Sequence, residues 1–303
     1  MLAVACSDPP KAPTGPSVPS ANPTDPPPPP RPPTGGPPPF QPTGATATVL
    51  AVGDIGMCSE RVNVEKTASL VAGMEGLLLL VGDLAYMRGT FQEFKDCFEP
   101  AWGRFRNRWR PVPGNHEYES NRASGYLQYF GAAAEPAGRT YYSFRAGDWL
   151  ILMLDSNDSV TPASDQYAFV TSTLAANGNP CTMAVWHHPL FSSGQNGPNS
   201  FMRDIWRLLY DHHADVVITA HDHLYERFGK QDADGRSDAR GLRQFIVGTG
   251  GAMLYNFQRQ EANSQVRQQS HGVLRLRLHT HGYSWEFIDV NGITLDVNSD
   301  GCH

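Results

Sequence analysis

Five times in this chain of 303 residues an apolar or extended segment ends and hard donor groups follow at once. Gly53-Asp54-Ile55-Gly56 and Gly82-Asp83-Leu84-Ala85-Tyr86 each bring an aspartate, the second with a tyrosine three positions on. Gly114-Asn115-His116-Glu117, His187-His188-Pro189 and His221-Asp222-His223 follow. Two carboxylates, an amide carbonyl, a phenol and several imidazoles make a borderline-hard oxygen and nitrogen set. Such a set suits iron, manganese or zinc rather than copper thiolate or magnesium alone. The donors are too many for one ion with an open position. They suffice for two ions about 3.5–4 Å apart that share a carboxylate, the arrangement that activates a water and clamps a phosphoryl group. Glycines before Asp54, Asp83 and Asn115 permit tight turns and close backbone approach.

These donors span about 170 positions, so only a fold that gathers strand ends along one rim can unite them. Thr46 to Gly53 and Leu77 to Val81 read as buried strands ending at the two aspartates, with a helix over Val62 to Gly73 between them. Phe91, Phe94, Phe98, Trp102 and Phe105 are spaced as on an amphipathic helix, with a break expected at Pro100. Pro111 to Pro113 is extended, and Arg122 to Phe130 reads as a short helix. Tyr141 to Arg145 and Trp149 to Leu154 form a hairpin around Gly147-Asp148. Ser164 to Ala176 and Ser200 to His212 read as helices. Strands over Thr182 to Trp186 and Val216 to Thr219 run into the histidine motifs. Leu242 to Val247, Gly272 to Leu278 and Tyr283 to Val290 complete the strands. Helix and strand alternate first and strands cluster at the end, which predicts an α/β or mixed αβ domain.

Composition bounds the rest. A net charge of -6 argues against a dedicated nucleic-acid surface, so no nucleic-acid recognition is expected. The longest aliphatic block, Leu77 to Val81, is of strand length, far from a membrane span. Of the 25 prolines, 17 fall in the first 44 residues, so residues 7–44 read as a polyproline-II spacer and the folded domain as 45–303. Residues 1–6, Met1-Leu2-Ala3-Val4-Ala5-Cys6, resemble the end of a bacterial lipoprotein signal, without its basic region and with a short apolar segment. Cys6 followed by a spacer suits an exported enzyme held to a membrane by a lipid. Four cysteines remain and allow three pairings. In an exported chain Cys58 is expected to bond Cys97, since both follow a site strand, and Cys181 to bond Cys302, which pins the C-terminus; the alternative is four buried thiols.

The ordered series Gly-Asp-x-Gly, Gly-Asp-x-x-Tyr, Gly-Asn-His-Glu, His-His-Pro and His-x-His resembles the calcineurin-like metallophosphoesterases. The tyrosine three residues after Asp83 makes it similar to the purple acid phosphatases, the small tartrate-resistant and bacterial types in particular. The resemblance covers about Ala45 to Val290. It implies a four-layer αββα sandwich with a dinuclear metal site at the C-terminal ends of strands. It also implies Asp54, Asp83, Tyr86 and His223 around Fe(III), and Asp83, Asn115, His187 and His221 around a divalent Fe, Zn or Mn. A Tyr86 phenolate on ferric iron would give a purple colour. His116 would meet the phosphoryl group as donor or general acid.

Two positions depart from the family pattern. Asn196 stands where the small purple phosphatases carry a histidine that protonates the leaving group; an amide can donate a hydrogen bond but cannot deliver a proton. Ala220 stands where a glycine usually precedes the His-x-His. Three functions follow: hydrolysis of phosphate monoesters, favoured by Tyr86; hydrolysis of diesters with the same core, favoured by Asn196; and a surface-tethered binding lipoprotein with a degenerate enzyme fold.

Several residues have plainer readings. His188 and Asp222 are expected to pack or support. Tyr118, Tyr126 and Tyr225 are divided between lining the mouth and plain packing. Glu226-Arg227 is expected as an ion pair or a solvated rim, and Phe91, Trp102, Met202 and Trp206 as core.

Overall fold

The computed structural model describes residues 46–178 and 181–303. The expected Cys6 tether, the Pro-rich stretch 7–44 and the domain start at Ala45 lie outside the described residues. Thirteen strands are described: β1 (Ala47–Val52), β2 (Leu77–Val81), β3 (Trp109–Val112), β4 (Tyr142–Ala146), β5 (Trp149–Met153), β6 (Thr182–Val185), β7 (Val216–Thr219), β8 (Tyr225–Phe228), β9 (Arg243–Val247), β10 (Ser264–Gln268), β11 (Gly272–His279), β12 (Gly282–Asp289) and β13 (Thr294–Gly301). They form two mixed sheets, ordered β13-β12-β11-β1-β2-β3 and β10-β8-β9-β7-β6-β5-β4. β1, β2 and β3 run parallel in the first sheet, and β5, β6, β7 and β9 in the second.

Alternation along each strand builds the layers. Val49, Ala51, Leu79 and Val81 point between the sheets, where they meet Ile151, Met153, Met183, Val185, Val216, Ile218 and Phe245. Leu50, Val52, Leu78 and Leu80 point outward beneath Val64, Ala68, Phe94, Phe98 and Tyr126 of the covering helices. On the other side, Leu152, Ala184, Val217 and Ile246 lie under Val170 and Leu174 of the helix Asp165–Ala175 and Ile205, Trp206 and Leu209 of the helix Arg203–Asp211. The result is the four-layer αββα sandwich that the resemblance implied.

Four expectations are corrected. The helix from Phe91 does not break at Pro100: a π-turn over Phe94–Phe98 joins the turn Glu99–Trp102, and Pro100 sits in its first turn, where a missing N–H costs little. Strands β8, β10 and β13 stand where no strand was expected. Glu226 and Arg227 form no solvated rim. Glu226 is buried and accepts from Ser193 N at 2.9 Å, and Arg227 pairs with Asp296 of β13 at 2.7 Å. Trp102, Met202 and Trp206 are core, whereas Phe91 is 36% exposed. Both disulfides, Cys58–Cys97 and Cys181–Cys302, are formed as expected. Among the described residues no helix is long and apolar enough to cross a membrane.

Candidate metal centre

The five motifs all follow the C-terminal ends of parallel strands: β1 leads to Asp54, β2 to Asp83 and Tyr86, β3 to Asn115 and His116, β6 to His187, and β7 to His221 and His223. Beyond β1 and β2 the chain continues the parallel ladder. Asp54 N, Ile55 N and Gly56 N donate to the carbonyls of Gly82, Asp83 and Leu84 at 3.0, 2.9 and 3.1 Å, and Tyr86 N returns to Gly56 O at 3.0 Å. The two aspartates are thereby held side by side. Asp54, Asp83 and His221 have φ of 57°, 51° and 69°, a left-handed conformation that non-glycine residues adopt at a cost and that clusters at functional sites. A Cβ on Gly114 would collide with Asp83 Oδ1, so the glycine before Asn115 is required for close approach. Ala220 is accommodated because its methyl faces Gly53, which has none.

Two donor sets meet at Asp83. Tyr86 OH lies 2.7 Å from Asp54 Oδ1, 3.3 Å from Asp83 Oδ2 and 3.1 Å from His223 Nε2. Asp83 Oδ2 also lies 3.2 Å from His187 Nε2, and one donor atom from each of Asp83, His187 and His221 falls within a 4.8 Å cluster. The imidazoles are aimed from behind. His187 Nδ1 donates to Val81 O at 2.8 Å and His223 Nδ1 to Met253 O at 2.7 Å, so each Nε2 faces the cluster. Asn115 Oδ1 and His187 Nε2 are buried with no hydrogen-bond partner. An unpaired buried amide oxygen, beside carboxylates and imidazoles whose Nε2 atoms converge, is what a bound cation would satisfy, so these residues fit a two-metal centre.

The electrostatics agree. Burial opposes ionisation of both aspartates, yet His223 beside Asp54 and His187 beside Asp83 hold the carboxyls below their ordinary range. Burial opposes the charge on His187 too, but Asp83 carries its imidazole up to about 9. Burial and the His187 charge lower His221 to about 4, leaving a neutral ring. Burial and the charges of Asp54 and Asp83 push the Tyr86 phenol well above its ordinary value, so a phenolate there requires a neighbouring cation.

His116 borders the cluster. Its Nδ1 donates to Met87 O at 2.6 Å, its ring lies 4.4 Å from that of Tyr86, and its Nε2 is 3.7 Å from Asp83 Oδ2. Asn196 is exposed and donates from Nδ2 to the His221 carbonyl at 2.9 Å. Asp222 supports that loop, accepting from Ser192 Oγ at 2.5 Å and from Asn196 N at 2.8 Å. His188 shares a 2.8 Å hydrogen bond with Ser156 Oγ.

A family model of the calcineurin-like phosphoesterases matches residues 47–225. The chain belongs to that family. It is 27% identical over 252 residues to purple acid phosphatase 15 of Arabidopsis thaliana, covering 71% of this chain and 47% of that one. To purple acid phosphatase 21 of the same plant it is 28% identical over 240 residues, covering 69% and 53%. The chain spans about half the length of these curated relatives. Among solved structures, the purple acid phosphatase PPD1 from yellow lupin (Lupinus luteus) seeds superposes with a TM-score of 0.73 at 16% identity, over 84% of this chain and 53% of that one. GAP50, the anchor in the inner membrane complex of Plasmodium, superposes with a TM-score of 0.63 at 13% identity, over 85% and 89%. At these identities the two structures speak for the fold alone.

Around the centre of this phosphoesterase fold stand Glu117, which the sequence shows within a motif but without this role, and Tyr255 and Asp155, which the sequence reading passed over. Glu117, fully buried, accepts from four backbone N–H groups: Asp83 at 2.9 Å, Leu84 at 2.8 Å, Ala85 at 3.2 Å and Gly114 at 2.7 Å. Burial and the Asp83 charge push its carboxyl up to about 7, against the pull of those donors. Tyr255 stacks on His223 with ring centroids 3.9 Å apart. Its only sequence signal is its place shortly after Gly248-Thr249-Gly250-Gly251, a glycine-rich turn at the end of β9. Asp155, at the end of β5, takes the Tyr118 hydroxyl at 2.5 Å. Tyr126 and Tyr225 line no mouth: Tyr126 is buried in the outer aromatic cluster, and Tyr225 stacks on Phe287 and donates to Asp296.

Proposed function

We propose that the chain hydrolyses phosphate monoesters at two metal ions that share Asp83. Asp54, Asp83, Tyr86 and His223 would hold Fe(III), and Asp83, Asn115, His187 and His221 a divalent Fe, Zn or Mn. The observation that carries the reading is the position of Asp83 Oδ2, 3.3 Å from Tyr86 OH and 3.2 Å from His187 Nε2, facing both donor sets at once. When bound, the ions would supply an activated water and offset the charge of the phosphoryl group. The chain's own groups hold and orient. The hydrogen bonds from His187 to Val81 O and from His223 to Met253 O fix Nδ1 as the donor and aim each Nε2 at the cluster, ready for coordination once it has lost its proton. His116 is fixed through Nδ1, which leaves Nε2 to donate to a phosphoryl oxygen or to protonate the departing alkoxide. Asn196 spends one N–H on the His221 carbonyl and so steadies that ring, while leaving-group protonation falls to His116 or water.

Diester hydrolysis is the second reading, favoured by the amide at Asn196, since diesters with good leaving groups need less acid assistance. An oxidising compartment outside the cytoplasm accords with two disulfides.

The test is paired turnover. Protein reconstituted with iron plus zinc or manganese is given an aryl phosphate monoester and the matching bis-aryl diester from about pH 4 to about pH 9. Monoester preference with an acidic optimum is expected, and Asp83→Asn should abolish it. Diester preference at neutral pH would install the second reading; no turnover of either, or unchanged turnover in Asp83→Asn, would overturn both.

A further inference from the structure

Three exposed large apolar side chains stand around the centre, each tied to a different part of it. Met87, 57% exposed, follows Tyr86, and its carbonyl accepts from His116. Met253, 61% exposed, offers its carbonyl to His223. Phe201, 50% exposed, packs its ring 5.5 Å from that of His188, which lies 4.5 Å from the ring of His221. Half-buried Tyr255 adds a fourth apolar surface, stacked on His223. These residues come from the loops after β2, β6 and β9, so no single local sequence preference accounts for their meeting at the centre. In Met87 and Met253 the backbone serves the site while the thioether arm is left in water. Exposed apolar groups gathered at a polar centre mark a place where ligand surface is buried.

Beside Met87 a cleft of about 380 Å³ is lined by Met57, Tyr86, Met87 and the Cys58–Cys97 disulfide. Its lining also carries two acids, Glu93 and Asp96. The Glu93 carboxylate is engaged by the N–H groups of Met87, Arg88 and Thr90. Such a cleft has room for an apolar group and disfavours an anionic one.

We propose that Met87, Phe201, Met253 and Tyr255 form an apolar lip that receives the alcohol part of the ester. The preferred substrates are then phosphate monoesters of uncharged aromatic or extended apolar alcohols, cleaved by water to inorganic phosphate and the free alcohol. The inference rests on the hydrolase reading above and deepens it.

The test compares 2-phenylethyl phosphate with ethyl phosphate on the metal-reconstituted protein. Both release a primary alkoxide, so a difference reports binding of the phenyl group rather than leaving-group chemistry. KM for the phenylethyl ester should be lower by about tenfold, the effect of partly burying one ring. The double variant Phe201→Ser, Met253→Ser should bring the ratio of the two KM values below about threefold. Arg88→Ala, at the exposed neighbour of Met87, should leave the ratio unchanged. Calorimetric titration with the non-hydrolysable 2-phenylethylphosphonate and ethylphosphonate gives a readout without turnover, and the same ratio is expected in Kd. Equal constants for the two ligands in the unmodified protein, or a ratio unmoved in the double variant, would overturn the lip. Turnover of neither ester would count against the hydrolase reading, and the phosphonate titration would still decide for or against the lip.

Discussion

Glu117→Gln leaves a side chain almost unchanged in shape and removes half of its capacity to accept. Glu117 Oε1 takes the N–H of Leu84 and Ala85, and Oε2 takes those of Asp83 and Gly114, all in a fully buried setting. An amide accepts at one end only; its NH2 would face two backbone N–H groups. Two hydrogen bonds to a charged acceptor are lost and two buried donors are left unpaired, at about 1–3 kcal/mol each. Relief from burying a carboxylate near Asp83 returns part of this, so a net loss of about 3 kcal/mol is expected. Against a total stability of about 5–15 kcal/mol the loss is large. It should be read by urea unfolding of metal-free protein at about pH 8, above the value of about 7 to which burial and Asp83 push the carboxyl. Because the affected N–H groups belong to the loops that carry Asp83 and Asn115, divalent-metal affinity should fall as well. A loss below about 1 kcal/mol together with unchanged metal affinity would refute the idea that Glu117 organises these loops.

The His187 imidazole, raised to about 9 by Asp83 over the opposing effect of burial, gives the metal-free protein a pH dependence. Unfolded, an imidazole titrates near about 6.5, so the charged pair's contribution to stability is full below that pH and is lost as pH rises through about 9. The same proton must leave when a metal binds. Affinity for zinc or manganese should therefore climb by about tenfold per pH unit from about pH 7 towards about 9, and a flat profile by calorimetry would contradict this. Tyr86→Phe should remove the visible absorption of the iron-loaded protein while leaving the far-ultraviolet circular dichroism intact; a retained visible band would exclude Tyr86 as an iron ligand. Asp296 accepts from Tyr225 OH, Arg227 Nε and Trp285 Nε1 in the core. Asp296→Ala leaves the buried Arg227 with the Gln265 amide but without a carboxylate and should cost about 3–5 kcal/mol in denaturant unfolding; a cost under about 1 kcal/mol would show that the arginine finds water.

The parallel strands were legible because their apolar runs are buried on both faces and stop abruptly at glycine and polar donors, as Leu77 to Val81 does before Gly82-Asp83. The three missed strands carry the opposite signal. β13, Thr294–Gly301, contains two aspartates, an asparagine and a serine, residues poor in strand propensity. It forms because β12 offers it a ladder along its length and because Arg227 and Arg243 of the other sheet meet Asp296 and Asp300. β8 holds Glu226 and Arg227, which look like surface until those partners are in place. β10, Ser264–Gln268, is a polar strand at the sheet edge, paired among the described residues with β8 alone. Pro100 suggested a break because a proline removes one hydrogen bond. The preceding π-turn shifts the ladder so that the proline falls where that bond is not needed.

By itself the amino-acid sequence determined which donor atoms this protein owns and the order in which strand ends deliver them. Residue type and chain order are properties of the chain before it folds. It also determined the succession of helices and strands, since apolar runs and periodicity are local, whereas the pairing of two sheets was implied by family resemblance alone. Only the tertiary structure decided how those donors are aimed. The Nε2 of His187 faces Asp83 because its Nδ1 is tied to Val81, 106 residues away. That of His223 faces Asp54 because its Nδ1 is tied to Met253. Glu117 became the organiser of two loops because Asp83 and Gly114 present their N–H groups to one point. Such directions depend on backbone groups brought together from distant segments, and no spacing along the chain encodes them.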